Sequence, residues 1–342
     1  MTRGLVLVLA CVLAACSPTT PPATTIANHG AGNVITNDPA LDAIVPADYR
    51  VEQLDEGFLF TEGPVWVEDP GYLLFSDVPG DTIFKWTPGG HATAFLKPVY
   101  SGPPPEKQRG IGPNGLTLDG QGNLVICEHG NRRIARMPLA GGDRQTLVDN
   151  YRGKKLNSPN DLVYHSSGAL YFTDPPYGLT NGDASPEKEL DFNGVFRLDP
   201  DGRLTLLTKE LNRPNGIALS PDEQTLYVAN SDAKRNLWMA YDVQPDGGIA
   251  NGRVFFDATG MSGGGGADGM KLDTAGNLYC TGPGGVLVFS PGGKHLGTIQ
   301  ATEQPANLAW GDANGKTLYL TARTGLYRIR LKAHGLLPVG VR

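Results

Sequence analysis

Six oxygen-bearing side chains recur in one local setting along this chain. They are found in Glu62-Gly63-Pro64, Pro113-Asn114-Gly115, Pro159-Asn160-Asp161, Pro214-Asn215-Gly216, Ala267-Asp268-Gly269 and Pro305-Ala306-Asn307. Two carboxylates and four amides, with no His or Cys at any anchor, make a hard-oxygen donor set. Such a set suits Ca2+ best, with Mg2+ or Mn2+ next and Zn2+ a poorer match. A single Asn or Asp before Gly is a common turn residue, so no one segment carries this reading alone. Glu62 and Asp268 carry it further, because a repeat kept only for its turns has no need of those carboxylates.

The anchors can cooperate only if the fold gathers them. Each opens a short apolar segment that turns and returns as a second strand, as in Tyr72-Leu73-Leu74-Phe75, Leu170-Tyr171-Phe172-Thr173 and Leu318-Tyr319-Leu320-Thr321. Units of roughly 40 to 55 residues built from short strands are propeller blades, and six of them predict an all-β, six-bladed β-propeller. The first strand of each blade would line the central channel, which brings the anchors to one mouth. In the third unit, a hairpin reading puts Asn160 at one strand's start and Asp174 and Tyr177 just past its neighbour's end, on one edge. Two insertions, Ser101 to Arg109 and Leu179 to Phe192, fall near that edge, where rim loops set substrate choice. The run Gly263 to Gly266 before Asp268 reads equally well as close backbone approach or as a surface loop. Asp119, Asp222, Asp273 and Asp312 sit in the opposite turns, where capping the turn is reason enough for a carboxylate.

Residues 1–15 have the form of a signal: Arg3, then an apolar run from Leu5 to Leu13 that is too short for a membrane-spanning helix. The run ends in Leu13-Ala14-Ala15-Cys16, which resembles the lipobox of bacterial lipoproteins, so Cys16 is expected to carry lipid and hold an exported, periplasmic protein at a membrane. Residues 16–45, rich in Ser, Thr, Pro and Ala, read as a flexible tether, and 46–342 as the propeller. Cys127 and Cys280 fall three blades apart, too far for a disulfide. The formal charge of -6, with its acids dispersed, offers no basic stripe for nucleic acid, and nothing in the chain points to a protein partner.

The chain resembles the SMP-30/gluconolactonase/regucalcin group of six-bladed propellers. The resemblance rests on Glu62-Gly63-Pro64, Ser158-Pro159-Asn160-Asp161-Leu162, Arg213-Pro214-Asn215-Gly216-Ile217 and Ala267-Asp268-Gly269-Met270. It implies that Glu62, Asn160, Asn215 and Asp268 hold a catalytic divalent metal. Cys127-Glu128-His129-Gly130 and Asp174-Pro175-Pro176-Tyr177 look more like the bacterial gluconolactonase branch. Ser158 stands where the animal enzymes carry a substrate-binding Arg, so their sugar preference does not transfer. Asn114, His129 and Tyr177 are the candidates for contacting substrate.

What the resemblance implies is a metal-dependent lactonase opening sugar lactones such as gluconolactone to the aldonic acid. The metal would polarise the lactone carbonyl, and either Asp268 as general base or a metal-activated water would supply the nucleophile. A serine nucleophile elbow needs a strand-turn-helix context that an all-β chain lacks. The alternatives are a related esterase or phosphotriesterase, and a non-catalytic propeller that binds a ligand over a structural metal.

Overall fold

The computed structural model describes residue 1 and residues 30–103 and 110–338. Cys16, the rest of the expected signal, the tether up to residue 29 and residues 104–109 of the first insertion lie outside the described residues. Six antiparallel sheets of at least four strands follow one another around a ring, and the described residues contain no α-helix. This is the six-bladed propeller that the repeats predict.

The innermost strands are Thr61–Val67, Pro113–Leu118, Leu162–Tyr164, Pro214–Leu219, Met270–Leu272 and Pro305–Gly311, and each contacts the inner strand of the next blade. Their side chains alternate between the two faces of a sheet that is itself sandwiched between neighbours, so both faces are apolar. Val65, Leu74 and Ile83 of the first blade, for example, pack against Leu116, Leu124 and Ile126 of the second. The ring closes without a covalent link. Val51–Glu56 is the outermost strand of the last blade, pairing antiparallel with Gly325–Arg330, whose chain comes from the other end of the domain.

The glycine that follows an anchor has a packing reason that the sequence pattern alone did not supply. A Cβ on Gly63 would lie 2.0 Å from the Asn114 carbonyl oxygen, and one on Gly115 2.6 Å from that of Asn160. On Gly216 it would lie 2.2 Å from the Asp268 carbonyl oxygen, and on Gly269 2.2 Å from Asn307 Oδ1. These glycines let adjacent blades touch at the channel mouth. Second-strand hydroxyls fasten the same contact: Ser76 Oγ donates to Asn114 O at 2.6 Å, Thr173 Oγ1 to Asn215 O at 2.7 Å and Thr281 Oγ1 to Ala306 O at 2.6 Å. At the opposite face, Asp119, Asp222 and Asp273 cap their turns as expected, whereas the Asp312 carboxylate accepts from Thr317 Oγ1 and Tyr319 OH on the following strand. Asp119 Oδ1 accepts from the backbone of Gln121 and Asn123, and Asp273 Oδ1 from that of Ala275 and Asn277. Cys127 and Cys280 are free and buried.

The tether expectation fails over its second half. Gly32–Thr36 is a fifth strand on the outer edge of the fifth blade, paired with His295–Ala301. A short 3-10 turn at Pro39–Ala43 then buries Leu41, Ile44 and Val45 against Val51, Val288 and Leu296. Sparse apolar residues in a polar stretch conceal this anchoring, because three buried side chains, with Ala31 and Val34 partly buried beside them, carry it. Leu41 is 1% exposed, so Leu41→Ala should lower the unfolding free energy by about 2–5 kcal/mol in urea titration. An unchanged midpoint would place residues 30–45 outside the cooperative fold.

Candidate active site at the channel mouth

The six anchors meet. Asn114 Nδ2 donates to Asn160 Oδ1 at 2.9 Å, and Asn160 Nδ2 donates to Asn215 Oδ1 at 2.5 Å. Asn215 Nδ2 donates to Ser231 Oγ at 2.8 Å, and Ser231 Oγ donates to Ala267 O beside Asp268. Asn307 Nδ2 closes the arc by donating to Glu62 Oε2 at 3.0 Å, where Gly63 N also donates at 2.8 Å. Each amide is thus held by a neighbour from another blade, and the carbonyl oxygens of Asn160 and Asn215 are aimed by the hydrogen bonds they accept. A carbonyl oxygen has two lone pairs, so Asn215 Oδ1 keeps acceptor capacity beyond this bond, whereas Asn160 Oδ1 also faces His129 Nε2 at 3.3 Å.

The electrostatics of the ring are unbalanced. Burial pushes the Glu62 carboxyl up to about 7; the Gly63 and Asn307 donors pull it down and the charge of Asp161 adds to the rise. Burial also pushes Asp268 far above the ordinary carboxylate range, reinforced by the negative charges of Glu62 and Asp161. Asp268 Oδ1 and Asn114 Oδ1 are buried and have no hydrogen-bond partner. Orphaned acceptors beside two mutually repelling carboxylates fit a divalent cation held by hard oxygens. Among the described residues, no cluster of three or more His, Cys, Asp or Glu side chains could hold a metal. A cation at this mouth would therefore depend on the amide oxygens.

The substrate candidates separate. Asn114 is buried within the ring itself, and Tyr177 stands at its edge, 38% exposed, with its hydroxyl facing Ser231 and Asn215. His129 is not at an open rim. It is 2% exposed, with Nδ1 3.0 Å from Gly110 O and Nε2 3.3 Å from Asn160 Oδ1. Burial lowers its pKa to about 4, so at pH 7 it is neutral, with one N–H to share between these two oxygens, and it packs against Asn160. Asp174 is fully buried and structural: its two oxygens accept from the backbone of Asn157 at 2.7 Å and Ser158 at 2.8 Å. Ser158, at the position of the animal Arg, donates to Pro175 O at 2.6 Å and accepts from Gly178 N at 2.9 Å. That fixes the loop bearing Tyr177.

Two charged residues were not singled out from the sequence. Asp161 is 2% exposed, with Oδ1 accepting from Leu162 N at 2.9 Å. Lys271, on the inner strand of the fifth blade, is the cation whose charge offsets both Asp161 and Glu62. A signal for Asp161 existed, since it stands where four other repeats carry glycine. Gly260-Met261-Ser262-Gly263-Gly264 matches a nucleophile-elbow pattern, yet Ser262 is exposed in a loop with no helix after it, so that context is missing.

Comparison with known proteins places this geometry. The model of the SMP-30/gluconolactonase/LRE-like region matches residues 60–324. A gluconolactonase of Zymomonas mobilis is 43% identical over 315 residues, covering 89% of this chain and 87% of that one. A pentonolactonase of Haloferax volcanii is 25% identical, covering 77% and 81%. The solved structure of a Xanthomonas campestris gluconolactonase superposes with a TM-score of 0.76 at 33% identity, covering 87% and 94%.

The raised Glu62 pKa sets a pH dependence. Without a cation, the folded state keeps a proton on Glu62 that the unfolded chain releases near pH 4.5, so stability falls as pH rises from there to about 7. Cation binding needs the ionised form and opposes that loss. The rise in Tm on adding Ca2+ to chelator-treated protein should therefore be larger at about pH 8 than at about pH 5.5. Equal rises at both would detach Glu62 from the cation.

Proposed function

We propose that this chain, which belongs to the SMP-30/gluconolactonase/LRE-like family, is a metal-dependent lactonase that hydrolyses sugar lactones such as gluconolactone to the aldonic acid. The carrying observation is the ring of Glu62, Asn160, Asn215 and Asp268 at one channel mouth, with Asp268 Oδ1 buried and unpartnered. Similarity to gluconolactonases and a pentonolactonase supports the substrate class. The hard-oxygen donor set supports Ca2+ as the cation, ahead of Mn2+, Mg2+ or Zn2+.

In this reading, Glu62, Asn160, Asn215 and Asp268 hold the cation, which when bound supplies Lewis-acid polarisation of the lactone carbonyl. Asp268 also takes the proton of the attacking water at Oδ1, the oxygen left without a hydrogen-bond partner. Asn307 and the Gly63 N–H fix Glu62; Asn114 and His129 fix Asn160; Ser231 fixes Asn215. Orientation from a surrounding layer of hydrogen bonds is what keeps ligand oxygens aimed. Tyr177, partly exposed beside Asp268 and Asn215, is placed to contact substrate. We also propose that lipid on Cys16 displays the domain outside the cytoplasm.

Chelator should abolish gluconolactone hydrolysis, and one divalent cation should restore it. Asp268→Asn should lower kcat by about 10²–10⁴-fold while the far-UV spectrum and cooperative unfolding persist. Wild-type turnover in that variant would remove Asp268 from the chemistry. A wild-type protein that does not raise hydrolysis above the spontaneous rate with any cation would move the reading to an ester, a phosphotriester or a non-catalytic ligand.

A further inference from the structure

A groove of about 490 Å³ opens beside the mouth, between the third and fourth blades. It shares Ser231 with the ring, and Ser231 Oγ accepts from Asn215 Nδ2 at 2.8 Å. Its wall begins on the strands that carry the ring, since Arg213 lies two residues before Asn215 and Ser231 N donates to Arg213 O at 3.0 Å. Paired strands are about 4.8 Å apart, so the groove starts roughly one strand spacing from Asn215.

The lining decides what kind of molecule fits. Asp183, Asp191 and Asp232 face Lys188, Lys209 and Arg213, so its formal charge is zero. Several of these groups are already paired: Arg213 with Asp183, Asn193 Nδ2 with Asp183 Oδ1 at 3.0 Å, and Asn212 Nδ2 with Asp232 Oδ2 at 2.8 Å. An anion or a cation would meet as many like charges as opposite ones. A neutral polyol meets donors and acceptors in alternation, and each hydroxyl can donate and accept at once. Half-buried Phe192 adds one apolar wall, with Lys209 Nζ over its ring at 5.5 Å.

We propose that this groove is a subsite for a second sugar, so that the substrates include lactones of disaccharides in addition to single-ring lactones. The proposal rests on the lactonase reading. In the reaction, water adds to the lactone carbonyl, the ring C–O bond breaks and the freed ring oxygen takes a proton. The glycosidic bond to the second sugar stays intact in the groove.

The test compares kcat/KM for gluconolactone and for the lactone of a β-1,4-linked glucose disaccharide, in the full chain with its activating cation. Ala233, an exposed turn residue lining the groove, makes none of the contacts described for the ring. Ala233→Trp should raise KM for the disaccharide lactone about tenfold at unchanged kcat, as loss of uniform binding does, and leave gluconolactone within about twofold. Lys209→Ala should shift the same KM in the same direction by a smaller factor. The proposal is overturned if the wild type hydrolyses gluconolactone but handles the disaccharide lactone about tenfold worse or more. It is also overturned if Ala233→Trp changes both substrates alike. Hydrolysis of neither lactone by the wild type overturns the lactonase reading itself, and this one with it.

Discussion

The close approach of adjacent blades at the channel mouth governs the rest of this structure. Gly63, Gly115, Gly216 and Gly269 leave no room for a Cβ, and hydroxyls on the second strands bond across the same junctions. The anchors are therefore drawn inward until their amides bond one another instead of water. Backbone packing thus creates a crowded patch of oxygen atoms at one end of the channel, while the turns at the other end remain ordinary.

Crowding has an electrostatic consequence. Glu62, Asp161 and Asp268 share a region in which Lys271 is the cation that offsets the first two, and burial raises the pKa of all three acids. A domain that spent its stability only on packing would gain by replacing these acids with apolar residues of similar size. Retaining them, with an orphaned Asp268 oxygen, makes sense for a site completed by a cation and turned toward substrate. The amide network, with His129 below and Ser231 beside it, would give such a cation a preformed seat.

Much of this was legible in the sequence. The six openings and their return strands specify the blades, and Glu62 and Asp268 stand out because they replace the turn residues that the pattern leads one to expect. Three features were not legible, each for a physical reason. Residues 32–45 look like tether because three buried side chains, Leu41, Ile44 and Val45, anchor them to a sheet edge and a core far away in sequence. His129 reads as a rim residue, but its turn folds inward and places it under Asn160. Lys271 carries no local signal at all: a single Lys in a short inner strand acquires its meaning only from acids on other blades.

The proposed site has Glu62, Asn160, Asn215 and Asp268 holding one divalent cation. Calorimetric titration of chelator-treated protein with Ca2+ tests it most directly, using Glu62→Gln and Asp268→Asn against Asp312→Asn, whose carboxylate bonds the strand hydroxyls of Thr317 and Tyr319 at the opposite face. One ion per chain is expected, with affinity reduced about tenfold or more in the two ring variants and unchanged in the third. Wild-type affinity in Glu62→Gln and Asp268→Asn, or no binding by the parent chain, would contradict it.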